Sequence, residues 1–355
     1  HRRRHSFPTR RSSDLVKLTG ANTSTGAITV SAGVLQVGDA GTTGSVAGNA
    51  AVASGAGLVF SRSDAVTYAG NISGAGAVSK LGGNVLTLTG TQTYTGSTAT
   101  GNSGGGLVLT NNARPTTVGF TGNGFVTIQP VTSFSAALDT SVYSFANTLT
   151  GLTLGRLGNT SDITLGSDIS IAGPISLYGG NIYLNANVSS SLANAALLFK
   201  ATGNITQASN VTVSSTGGDI TLWANSDGDT INYGGILLNT GAAINSQNGA
   251  ITLGGGTSLA TGYASNKTTN IGNTGDNAAN YSGGVALFNA SINAGTGAVT
   301  VRGESVGSAD DFAMGIMLRG DAGTSSITGG AVSLVGISNN AANAGGNGSS
   351  NRGIS

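Results

Sequence analysis

The chain has 355 residues with 60 glycines, four prolines, no cysteine, 38% apolar and only 8% charged side chains. Its 15 basic and 14 acidic residues nearly cancel, and no His or Cys follows His5, which excludes a Ser-His-Asp or Cys-His device, a Cys/His zinc site and an imidazole base. The apolar residues are regularly spaced, unlike those of a disordered chain, and no apolar run reaches the roughly 18 residues of a membrane-spanning helix.

Residues 1–15 stand apart as a non-native leader. Arg2, Arg3, Arg4, Arg10 and Arg11 crowd there, and without that stretch ten basic side chains face thirteen acidic ones. The leader lacks the apolar region of a signal peptide. Its run Phe7-Pro8-Thr9-Arg10-Arg11-Ser12-Ser13-Asp14-Leu15 resembles a translated sequencing adaptor. The other reading is a basic arm for nucleic acid or membrane. No basic patch follows it, so no nucleic-acid partner is expected.

From residue 16 onward a five-residue phrase recurs: Gly, any residue, Ile or Val, Thr or Ser, then Leu or Val. Copies are Gly26–Val30, Gly124–Ile128, Gly173–Leu177, Gly218–Leu222, Gly249–Leu253, Gly297–Val301 and Gly330–Leu334. Each is a short strand of alternating faces entered through a glycine. Such a strand buries its apolar face only when copies stack. The expected fold is all-β, a right-handed parallel β-helix (β-solenoid), with Ile and Val in vertical columns and Asn and Thr ladders at the turns. A hairpin at Asn248-Gly249 is the antiparallel alternative.

Residues 16–112 are the looser repeats. Ser73-Gly74-Ala75-Gly76 opens one copy, Lys80-Leu81-Gly82-Gly83 turns it, Leu86-Thr87-Leu88 forms its strand and Tyr94-Thr95-Gly96 its corner. This resembles the autotransporter-associated β-strand repeat. Residues 113–160 read as an irregular continuation.

Residues 161–355 form regular blocks of two strands. Ile236 groups with Ile251, Val285 with Val299 and Ile316 with Val332. Block starts at Gly235, Gly284 and Gly315 are 49 and 31 residues apart, the excess lying in a polar insertion at 254–283. The region from about 120 onward resembles the repeats of filamentous-haemagglutinin-like exoproteins.

Chemistry-bearing clusters are sparse. Asn225-Ser226-Asp227-Gly228-Asp229 has the alternating oxygens of a calcium loop but no closing bidentate Glu, so a polar turn is the favoured reading. Gly345-Gly346-Asn347-Gly348 stops short of a calcium-binding nonapeptide. Catalysis by a β-helix lyase or hydrolase needs grouped carboxylates or a Lys/Arg base. Asp39, Asp64, Asp139, Asp162, Asp168, Asp219 and Asp276 are scattered, and only Glu304, Asp310 and Asp311 cluster, flanked by Arg302 and Arg319. Trp223 with Tyr68, Tyr94, Tyr178, Tyr183, Tyr233, Tyr263 and Tyr281 is a candidate sugar-stacking face, though a packing role for Trp223 is favoured. Thr87, Thr89, Thr91, Thr93 and Thr95 suggest an ice-binding array, which other repeats do not maintain. No catalytic, cofactor-binding or metal residue is assigned, and no cofactor is expected.

The two resemblances imply an internal piece of a large exported bacterial surface protein, secreted to the cell surface by way of an outer-membrane translocator. A cysteine-free chain suits threading through a pore. The role expected is a non-catalytic adhesin or stalk touching host or neighbouring cells, glycans or biofilm matrix. The rivals are a β-helix polysaccharide lyase or hydrolase, and a purely structural surface-layer or matrix repeat.

Overall fold

The computed structural model describes residues 14–23, 25–101, 104–117, 119–230, 233–266, 281–306, 312–320, 323–339 and 352–354. Among them are short strands, one 3-10 turn at Thr140–Val142 and no α-helix. The strands pair in parallel, each with the equivalent strand of the next coil, so the protein is a parallel β-helix. It divides into two compact units, His1–Gln129 with Tyr143–Thr150, and Pro130–Val142 with Gly151–Ser355.

In the second unit three sheets surround the core. One carries Gly151–Gly155, Ile175–Gly179, Leu197–Ala201, Ile220–Ala224, Ile251–Gly255, Ala298–Val306 and Ala331–Asn339 in order. Ile220 faces Ile251, Ile251 faces Val299 and Val299 faces Val332, the vertical column that the phrase predicts. The first three are at most 1% exposed, while Val332, on the last described coil of that sheet, is 46% exposed. A second sheet stacks Ile205, Ile236, Val285 and Ile316. Each fully buried Ile or Leu contributes about 1.5–3 kcal/mol of transfer free energy, so the columns dominate the fold.

The blocks hold three strands, not two. Ala243–Asn245 stands between Ile236–Leu238 and Ile251–Gly255, and its Ile244 stacks on Val213 and under Ile292 in a third sheet. A three-residue Ala-Ile-Asn strand has too little alternation to announce itself. Asn248, at φ 88°, turns a corner between two sheets, which replaces the hairpin alternative. The flanks of the 254–283 insertion are built into the coil: Ala264–Asn266 pairs beside Gly303–Ser305, and Tyr281–Phe288 is a strand. Residues 267–280 of the insertion lie outside the described residues.

At Gly124, Gly218, Gly249, Gly297 and Gly330 the glycine that opens the phrase has a steric cause. A Cβ on Gly249 would collide with the carbonyl oxygen of Gly218 one coil away, and one on Gly297 with that of Gly249. Stacked glycines let successive corners approach at strand spacing.

In the first unit, one sheet runs through Leu15–Leu18, Val34–Gly41, Gly57–Arg62, Ala77–Leu81, Thr98–Ala99, Gly119–Thr121 and Ser144–Phe145. Leu15, assigned to the leader, opens its first strand opposite Val34; residues 1–13 lie outside the described residues. A second sheet stacks Leu86, Leu107 and Val126 beside Leu88, Leu109 and Ile128. A third holds Ile28–Val30, Ala50–Val52 and Ile72–Gly74.

Candidate functional site

The scattered carboxylates serve the coil's corners. Asp162 Oδ1 accepts from the Asn181 backbone N–H at 2.8 Å, Asn181 Oδ1 from Asn204 N–H at 2.9 Å, and Asn204 Oδ1 from Gly235 N–H at 2.9 Å. Asp168, Asn187 and Thr212 repeat the device at another corner, and Asn49, Asn71 and Thr91 do so in the first unit. Asp219 accepts from Ala250 N–H and Asp139 from Ser141 N–H. These are the expected ladders, and their rungs continue as amides or hydroxyls rather than carboxylates. Asp39 pairs with Lys17 and Asp64 with Arg62, each partner holding the carboxyl below its ordinary value through a side-chain hydrogen bond. Among the described residues no three His, Cys, Asp or Glu side chains gather as a metal would need.

The other sequence candidates disperse similarly. Within 225–229, Asp227 Oδ1 accepts from Asp229 N–H at 3.2 Å, and Gly228 N–H donates to the Asn225 carbonyl at 3.0 Å, a self-closed polar turn. Glu304 accepts from the Ser265 hydroxyl at 3.1 Å and points to the same side of its strand as Arg302, while Arg319 ends a strand of another sheet. Asp276, Asp310, Asp311 and Gly345–Gly348 lie outside the described residues. Tyr68 and Tyr94 are buried in the first unit, and Tyr178 and Tyr183 lie on different sheets of the second, so these four make no shared stacking face. The Thr87–Thr95 array winds around one coil: Thr89 N–H donates to Tyr68, Thr93 N–H to Ile72 and Thr95 N–H to Gly74.

One outward surface does concentrate chemistry. On the first sheet of the second unit, two outward columns run side by side. The first is nearly all hydroxyl: Thr153, Ser176, Leu198, Thr221, Thr252, Thr300 and Ser333. The second is Gly155, Tyr178, Lys200, Trp223 and Gly254. Its bulky members deny the surface the paired hydroxyl ranks that an ice-matching face needs.

Lys200 Nζ sits 3.5 Å from the centre of the Trp223 ring, and Trp223 Nε1 donates to the Gly256 carbonyl at 2.7 Å. The indole is thus pinned at its edge and covered on one face by the ammonium. Burial pulls the Lys200 ammonium below its ordinary value. The ring opposes that pull, because a cation–π contact favours the charged form by about 0.5–2 kcal/mol.

Beside this column lies a pocket of about 170 Å³ lined by Arg156, Tyr178, Lys200, Thr202, Ser226 and Asp227, among others. Gly155 begins the turn that forms one wall, at φ +78°, where a Cβ would strike the Tyr178 carbonyl. Asn159, 1% exposed, locks that wall by donating to the carbonyls of Tyr178 at 2.9 Å and Ser161 at 3.1 Å. The Arg156 guanidinium reaches back to the Val131 carbonyl at 2.6 Å. Two cations therefore share a small pocket with one carboxylate and several hydroxyls. Sequence reasoning names Trp223 and Tyr178 but misses Lys200 and Arg156. The strand of Lys200 lacks the glycine and hydroxyl of the phrase, so only the register shows that Lys200 stands between Tyr178 and Trp223.

Among the described residues, fold and surface together define a parallel β-helix that carries a hydroxyl column and a cation–aromatic column on one sheet. No protein-family model and no solved structure matches the chain. Over 59 residues, 17% of the chain, it is 51% identical to the adhesin BmaC autotransporter of Brucella suis biovar 1 (strain 1330). That match covers 2% of the adhesin's length. Among the described residues no helix is long and apolar enough to cross a membrane, which says nothing of a β-barrel.

Proposed function

We propose that the chain is an adhesive, non-catalytic stretch of an exported bacterial surface protein of the autotransporter kind. The observation that carries the reading is the 51% identity to an autotransporter adhesin, borne by a chain of stacked parallel coils. A β-helix offers long, shallow outward faces, suited to contacts with host or neighbouring cells, glycans or biofilm matrix. Export through an outer-membrane translocator accords with a chain free of cysteine. Coils that meet mainly their neighbours can fold outside, one upon the next. Among the described residues the carboxylates are largely engaged with backbone amides and ion pairs, which favours binding over hydrolysis.

The test is saturable binding of the purified chain to bacterial and epithelial cells, compared with a chain lacking residues 267–280. Saturable binding without polysaccharide turnover supports the adhesive reading. Absence of any binding would favour the structural repeat, and turnover of a polysaccharide panel would favour the lyase or hydrolase.

A further inference from the structure

We propose that the pocket beside Trp223 is a subsite for a carboxylate-bearing sugar, a uronate residue within an acidic glycan. The proposal rests on the adhesive reading and names the ligand class that one face would take.

Beyond residue 15 the chain carries more acidic than basic side chains, yet this pocket joins Lys200 and Arg156 with Asp227 as its carboxylate. Each cation has an anchoring contact, that of Arg156 at the exposed rim of the pocket. Lys200 is fixed over the indole, and Arg156 is tethered to the Val131 carbonyl. A guanidinium has five N–H donors in a rigid fork, so one tether leaves most of the fork for a carboxylate. Trp223 cannot stack a sugar on the face that Lys200 covers; its task is to hold the ammonium. Tyr178 supplies the aromatic wall instead.

The remaining groups select a sugar over an acidic peptide. Thr202 and Ser226 offer hydroxyls, and Asp227 is an acceptor for sugar hydroxyls. An acidic side chain of a peptide brings a carboxylate but no ring hydroxyls to occupy these groups. The volume of about 170 Å³ is below the ~300 Å³ floor typical of drug-sized pockets, room for about one ring. The hydroxyl column of Thr221, Thr252 and Thr300 leads away along the same sheet, a track for neighbouring sugar units.

The test measures equilibrium binding of the whole chain to an oligogalacturonate, to its carboxyl-reduced neutral counterpart, to poly-glutamate and to sodium acetate. Wild type is compared with Lys200→Met, which keeps the alkyl stem on the indole, Lys200→Arg and Arg156→Gln. The expected result is saturable, salt-sensitive oligogalacturonate binding, weakened about tenfold or more by carboxyl reduction, by Lys200→Met and by Arg156→Gln. Lys200→Arg should retain most of the binding, and no unsaturated uronate should accumulate. Equal binding of the neutral oligosaccharide, or unchanged binding by Lys200→Met and Arg156→Gln with wild-type circular dichroism, would overturn the proposal. Poly-glutamate binding as tight as oligogalacturonate would replace it with an acidic-peptide site. The two readings separate cleanly. Saturable cell binding by wild type with no preference for oligogalacturonate over its neutral counterpart leaves the adhesive reading standing and sinks this one, whereas oligogalacturonate binding without cell binding does the reverse.

Discussion

The two units wind by the same rule but fill their interiors differently. In the second, the Ile220, Ile251 and Val299 column is purely aliphatic, and the polar groups buried in others, such as Gln207 and Ser215, are neutral amides and hydroxyls. In the first, a lysine amine and tyrosine phenols also enter the core. Val37 faces Phe60 and Phe60 faces Lys80, so a lysine that is 1% exposed continues an apolar column and donates to the Gly82 carbonyl. Tyr94 is fully buried with its hydroxyl 2.6 Å from that of Thr98, and Thr98 lies 3.0 Å from Thr117. Uniform columns stabilise strongly but distinguish poorly between one coil and the next. A buried polar group tolerates only the coil that satisfies it, so Lys80 and Tyr94 in the first unit and Gln207 in the second each mark a register that aliphatic columns leave open.

The contrast predicts a graded series. Ile251→Asp places an unpaired charge among apolar neighbours and should cost about 4 kcal/mol or more. Val332→Asp, at a half-exposed position of the same column, should change stability by less than about 1 kcal/mol. Trp223 is the sole tryptophan, so its fluorescence during urea unfolding reports on the second unit directly. Equal costs at the two positions would break the column model.

Gly249→Ala should cost about 1–3 kcal/mol, because the added methyl meets the Gly218 carbonyl. Gly57→Ala, where a Cβ meets only Val34 Cγ2 at 3.6 Å, should shift stability by no more than about 0.5 kcal/mol.

The polar core of the first unit should respond to pH. Burial pushes the hydroxyls of Tyr68 and Tyr94 up to about 12 from 10.0. The folded chain keeps these protons while the unfolded chain releases them. Stability from this source is therefore intact below pH 10 and falls as pH climbs toward 12. Tyr94→Phe should remove part of that alkaline loss, measured by hydrogen exchange of the surrounding coil.

Lys80 has the opposite sign. Burial pulls its ammonium below its ordinary value, so stability falls as pH drops through the folded value and the site charges. Lys80→Met removes that penalty along with one hydrogen bond, and should raise stability near neutral pH by about 1 kcal/mol. A loss of several kcal/mol would mean that the ammonium's hydrogen bonding outweighs its burial.

The strands, their parallel stacking and the Ile and Val columns were legible because period-two alternation and a glycine mark each phrase. The ladders at Asn181 and Asn187 were legible as a residue type at turns, though not as particular partners. Lys80 was not legible: Ser79-Lys80-Leu81-Gly82 has the composition of a solvated turn, and only stacking under Phe60 shows that it points inward. The pocket was half legible. Trp223 and Tyr178 announce themselves as aromatics, but Lys200 gains meaning from its coil neighbours and Arg156 from a turn whose shape depends on Gly155 and Asn159.

Direct stacking of equivalent strands is best tested by engineered disulfides, since the native chain has no cysteine to interfere. Thr221 and Thr252 are outward neighbours on adjacent parallel strands, with Cα atoms about 4.8 Å apart at that pairing. Thr221→Cys with Thr252→Cys should cross-link rapidly under mild oxidation, and Leu237→Cys with Thr252→Cys, on separate sheets, should not. Rapid cross-linking of the second pair and not the first would contradict the parallel coil.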